Sequence, residues 1–142
     1  MAQIIKIIIV YYCFLKISYG QSPDELLSMA ENQMSNGELI LAQKSLHDAL
    51  NADPSFAPAL KALSKLALHR GDLPGANQYS IQAVQADEDF REWSNKITKI
   101  TERIQNGRRN IEQGLFEEAV DEYSAILNEH PYFPEAAFYI GL

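Results

Sequence analysis

Side chains able to do chemistry are few in this 142-residue chain, and their spacing keeps them apart. The three histidines, His47, His69 and His130, fall in separate stretches. None has a second ligand at the short spacing of a metal site. The acidic pairs Glu117/Glu118 and Glu102/Glu112 and the group Asp24, Glu25 and Glu31 sit as solvated helix faces do, not as an acid–base pair. No phosphate-binding glycine loop, nucleophile elbow or HExxH motif is present. The single cysteine is Cys13, so everything after it lacks a disulfide framework, a cysteine zinc site and a cysteine nucleophile. What remains is electrostatic. Lys61 and Lys65 are four residues apart, on one face of any helix that holds them, and repel each other mildly. Together with Arg108 they are suited to attracting a carboxylate. No catalytic residue, metal or cofactor is therefore expected, and the expected function is binding.

Composition narrows the partner. The formal net charge is −7, and the first 20 residues hold Lys6 and Lys16 but no acid, so the remainder is more acidic still. That argues against nucleic acid as a partner, which needs a basic footprint.

The first 20 residues, MAQIIKIIIVYYCFLKISYG, read as an address rather than as structure. Lys6 supplies a short positive region, Ile7 to Leu15 an apolar run of nine, and Ser18 and Gly20 the small residues of a cleavage site before Gln21. A membrane span needs about 20 apolar residues, more than Lys6 and Lys16 enclose. Residues 1–20 are expected to be a secretory signal peptide, and the mature chain, 21–142, to reach a bacterial periplasm or the exterior without a membrane span.

The elements that must position the binding residues follow from a repeat. Gly37, Leu39, Ala42, Leu46, Ala49 and Pro54 recur as Gly71, Leu73, Ala76, Ser80 and Ala83, and again as Gly114, Phe116, Ala119, Tyr123 and Pro131. Gly37 to Gly71 is 34 residues, as is Ala42 to Ala76. A self-similar period of this length marks a stacked helix–turn–helix array. Ser22-Pro23-Asp24-Glu25 starts the first helix, with Ser22 as N-cap and Glu25 as its capping-box partner. Asn36-Gly37 ends it. The second helix is expected over 38–51, with Ile40, Leu41, Leu46, Ala49 and Leu50 as its apolar positions. The repeats then run over 23–56, 57–90 and 100–133. Residues 91–99 are an insert. Trp93, Ile97, Ile100 and Ile104 form a helical stripe, so the insert should extend the first helix of the third repeat, over about 89–113. Residues 134–142 begin a fourth copy, and the natural protein is expected to continue past Leu142.

These offsets resemble the tetratricopeptide repeat (TPR) family. The resemblance implies an all-α fold, a right-handed α-solenoid of antiparallel helix pairs. It implies that Ala42, Ala76 and Ala119 sit where the paired helices cross, and that a small residue at Gly107 lets them approach. It also implies that the first helix of each pair lines a concave groove for protein or peptide segments. The groove candidates by register are Leu27, Glu31 and Met34, then Lys61, Lys65 and Leu68, then Ile104, Arg108 and Ile111. Family members that clamp a C-terminal carboxylate use a lysine and an asparagine where this chain has Leu27 and Glu31, so that activity is not expected. Trp93 is expected to pack against the second repeat, and Phe90 to plug the junction that follows it. The expected role is an exported, non-enzymatic scaffold. Two alternatives stand beside it: the docking arm of a larger enzyme, and a module that self-associates through its open C-terminal helix end.

Overall fold

The computed structural model describes residues 20–131 and 133–141. The expected leader, apart from Gly20, lies outside the described residues. Within them every regular element is helical. They are α1 (Pro23–Ser35), α2 (Leu39–Ala52), α3 (Ala57–His69), α4 (Leu73–Ala86), a 3-10 turn (Glu88–Phe90), α5 (Arg91–Glu112), α6 (Phe116–Glu129) and α7 (Pro134–Ile140). They pack in consecutive pairs, α1 with α2, α3 with α4 and α5 with α6, and each pair also touches the next. The all-α, solenoid-like expectation holds.

The same local chemistry builds each pair. Ser22 and Glu25 form the capping box, with Glu25 N–H donating to Ser22 Oγ and Ser22 N–H to Glu25 Oε2, both at 3.2 Å. The turn inside each pair ends the first helix in one way. Glu38, Asp72 and Leu115 donate their N–H groups back to the carbonyls of Gln33, Ala67 and Asn110, at 2.8, 2.9 and 2.8 Å. This closure needs a left-handed residue just before the donor. Gly37, Gly71 and Gly114 supply it, with φ of 76–77°. The turns between pairs also match. Asp53, Asp87 and His130 each accept from the N–H of a phenylalanine three residues on: Phe56, Phe90 and Phe133. Glu88 replaces the expected proline in the second of these turns. The turn forms without it, because Asp87 Oδ1 accepts the N–H of Asp89 at 3.0 Å.

Two apolar clusters hold the array. Leu26, Ala30, Ala42, Leu46, Ala49, Ala59, Ala62 and Leu63 join α1, α2 and α3. Ala67, Leu68, Leu73 and Ala76 continue into a second cluster with Ile97, Ile100, Ile104, Ala119, Tyr123, Ile126, Phe133 and Ala136. α3 contributes to both, so it is apolar nearly all round. The crossing alanines Ala42, Ala76 and Ala119 are all buried. Each faces a small residue on its partner helix, in the series Ala30, Ser64, Gly107. Gly107 is the extreme case: a Cβ there would lie 2.8 Å from Tyr123 Cζ and 2.9 Å from Cε2. One expectation fails within α2. Ile40 is 81% exposed and Leu41 is exposed as well, because Ala42, Leu46 and Ala49 define the buried face and positions 40 and 41 point away from it.

The insert forms one continuous helix with the first helix of the third repeat, giving α5 a length of 22 residues against 13 for α1 and α3. Its early turns pack on the second repeat. Trp93 Nε1–H donates to Ser64 Oγ at 3.0 Å, and Ser64 in turn donates to the carbonyl of Ala76 at 2.8 Å. Ser64 and Ser80 are both small where the other repeats pair a small residue with a large one. The indole edge and Ser94, 3.4 Å from Ser80, close against that site.

Candidate groove on the first helices

Two adjoining depressions open on the side presented by α1 and α3. One, of about 320 Å³, is lined by Leu27, Glu31, Met34, Pro58, Lys61, Ala62, Lys65 and Phe90. The other, of about 410 Å³, has an apolar floor of Met34, Leu39, Leu68, Trp93 and Phe133. Its polar groups are Lys65, His69, Glu129 and His130. Met34 and Lys65 border both, so the two form one groove with a shared ridge.

The ridge is held by cation–π contacts. Lys61 Nζ lies 5.5 Å from the centroid of Phe90 and 5.9 Å from that of Trp93, and Lys65 Nζ lies 5.7 Å from Trp93. Ring faces attract ammonium groups by about 0.5–1 kcal/mol at exposed sites. This offsets the repulsion expected between the two lysines. Neither lysine is ion-paired among the described residues, so both keep hydrogen-bonding capacity for an incoming carboxylate. Phe90 lines the groove wall beside Lys61 at the junction it was expected to plug.

The sequence-derived candidates divide. Leu27, Glu31, Met34, Lys61, Lys65 and Leu68 all line the groove. The third-repeat candidates do not. Ile104 is fully buried in the second cluster and cannot meet a ligand. Ile111 packs half-buried against the same cluster. Arg108 makes a forked pair with Glu135 of α7, Nε to Oε1 at 2.6 Å and Nη2 to Oε2 at 2.5 Å. That hydrogen bond, first of all, pushes the Arg108 pKa up. The physical reason for the correction is the length of α5. Its added turns bring Trp93 onto α3, so the third repeat reaches the groove through the insert and not through positions 104–111.

The sequence also missed the far wall. His69 and His130, read as isolated surface residues, border the same depression, beside Glu129, Pro131 and Phe133 of the α6–α7 link. Pro134 lies close to Gly71: a Cβ on Gly71 would meet its ring at 3.6 Å. No spacing signal announces this approach, which depends on how the long α5 places α6. His130 has its pKa pushed down, chiefly by burial and then by the charge of Lys96. Its Nε2 is buried with no hydrogen-bond partner. The Tyr123 hydroxyl is likewise buried without a partner, and its pKa is pushed up to about 12 by burial first and then by the negative charge of Glu135. Among the described residues no group of three or more His, Cys, Asp or Glu side chains is placed to hold a metal ion, and no helix is long and apolar enough to cross a membrane.

Compared with known proteins, the chain matches no family model and no curated sequence.

Proposed function

We propose that this chain is a TPR-type scaffold, non-enzymatic and exported, that holds a protein segment in the groove of α1 and α3. The observation that carries this reading is the continuous groove over Met34 and Lys65 with its two open ammonium groups. Apolar walls on both sides of a cationic ridge suit an extended or helical segment that places an acidic residue between two apolar ones. The three identically built intra-pair turns support the TPR reading. The Lys6, Ile7–Leu15 and Gly20 pattern supports export.

Trp93 is the only tryptophan in the chain and stands at the ridge, so its emission reports on occupancy. Short peptides of the pattern apolar–acidic–apolar, titrated into the protein, should shift that emission saturably. A Lys65→Glu variant should lose the response, and peptides with lysine in place of the acid should give none. An unchanged emission across the acidic set, confirmed by calorimetry, would reject the groove as the binding site. The export reading is tested separately: the secreted protein should begin at Gln21 by mass spectrometry, and an intact N-terminus rejects cleavage.

A further inference from the structure

The second helix of each pair carries a stripe that faces the pair after it. In α2 the stripe begins Leu39, Gln43, Leu46; in α4 it begins Leu73, Asn77, Ser80; in α6 it begins Phe116, Val120, Tyr123. The first two stripes are covered at their second position. Gln43 accepts a hydrogen bond from Arg70 at 2.6 Å, and Asn77 donates to Thr101 at 2.8 Å. The third is covered only in its later half. Tyr139 of α7 stacks on Tyr123, with centroids 4.9 Å apart, but α7 is seven residues long and leaves the first turns of α6 open. Phe116 is 65% exposed and Val120 47%. Phe138 on α7 is 77% exposed and packs edge-on against Tyr139, so the open surface continues across both helices.

The rim gives the sign of the partner. Glu117 and Asp121 each lie one residue beyond Phe116 and Val120, on the flank of the stripe, and neither has an ion-pair partner among the described residues. The basic residue nearest in the fold, Arg108, is already paired to Glu135. A second copy of this chain would bring the same acids against themselves across a symmetric contact, on a chain of net charge −7. An apolar stripe beside unpaired acids instead complements a helix with an apolar face and lysine or arginine flanks. We propose that this end of the array, separate from the groove, docks a basic amphipathic helix of another protein.

The test uses the whole chain and three synthetic helices: one with leucines at i, i+3, i+4 and i+7 on a lysine and alanine background, its glutamate-for-lysine counterpart, and a scrambled form of the first. Fluorescence anisotropy of the labelled peptides should show the lysine helix binding roughly tenfold tighter than either control. Val120→Asp should weaken it by roughly tenfold or more. Val120 is exposed, so the variant should keep its circular dichroism spectrum. The paired variant Glu117→Lys, Asp121→Lys should reverse the order of the lysine and glutamate helices, and it leaves the apolar stripe intact. Equal binding of the scrambled peptide, or no reversal, overturns the proposal. So does a peptide-free dimer in sedimentation equilibrium that Val120→Asp dissolves, since the occupant would then be a second copy.

Discussion

Gly107 offers the sharpest perturbation in the array. Replacing it by alanine has two opposed effects. In a helix interior alanine is better than glycine by about 0.8–1.0 kcal/mol, so an open site would gain stability. The site is not open. The new methyl group would stand 2.8 and 2.9 Å from Cζ and Cε2 of Tyr123 and 3.2 Å from Cε1. The ring has nowhere easy to go: it is buried and stacked on Tyr139. Adding a methyl to such a contact costs about 1–3 kcal/mol. The overpacking therefore outweighs the propensity gain, and Gly107→Ala should lose roughly 1–2 kcal/mol in urea denaturation followed by circular dichroism. The first repeat supplies the rescue. It has Ala30 and Leu46 at the matching positions, both fully buried. Combining Gly107→Ala with Tyr123→Leu should recover most of the loss, and the double-mutant cycle should show coupling of about 1 kcal/mol or more. A Gly107→Ala protein as stable as the parent, or more so, refutes the close-approach argument and with it the register of the third repeat.

Other consequences follow from the same packing. Ala42→Trp and Ala119→Trp place a large ring at buried crossings, and each should destabilise by about 1–3 kcal/mol or more in the same denaturation assay. Trp93→Phe keeps a ring under Lys61 and Lys65 but removes the donor to Ser64. It should cost about 0.5–1.5 kcal/mol by thermal or urea melt while leaving the helical content unchanged. His130 has a lowered pKa when folded, so the unfolded chain binds its proton more readily and this residue's contribution is intact above pH ~6.5 and lost as pH falls below it. Melts between neutral and mildly acidic pH should show a drop that His130→Gln reduces; an unchanged pH slope would contradict the burial of Nε2. Glu135→Gln weakens the exposed fork from Arg108, for a small loss of up to about 1 kcal/mol, seen most clearly as faster hydrogen exchange in α7.

Much of the fold is written in local rules that act the same way in every copy. The Ser22–Glu25 cap, the Gly37, Gly71 and Gly114 turns and the buried alanines each depend on a few neighbouring residues, so their spacing in the chain suffices to place them. The crossing of paired helices is nearly as legible, because the side chain at one position limits the side chain at its opposite. Small faces large at Ala30 and Leu46, and at Gly107 and Tyr123. Where both are small, at Ser64 and Ser80, the pair alone leaves room, and the missing volume is a reason to look for a residue from elsewhere. Trp93, which reaches Ser64 from the insert, answers that deficit.

The groove was legible only where first helices of equal length stack in register. Six of the nine residues expected there do line it, all from α1 and α3. Ile104, Arg108 and Ile111 were placed by carrying the same register across a nine-residue insert. A helix extended by nine residues turns through two and a half turns, about 13.5 Å along its axis, so the residues in register with α3 no longer lie beside it. Trp93 takes that place instead. The same displacement brings His130 and Phe133 against the end of α3, and no short-range pattern encodes a contact between residues more than 60 positions apart. What remained readable was the hydrophobic stripe Ile97–Ile100–Ile104, which fixes the buried face of α5 whatever its length. Its burial already implies that position 104 cannot also serve a ligand: a residue cannot fill the core of its own pair and line a groove at once.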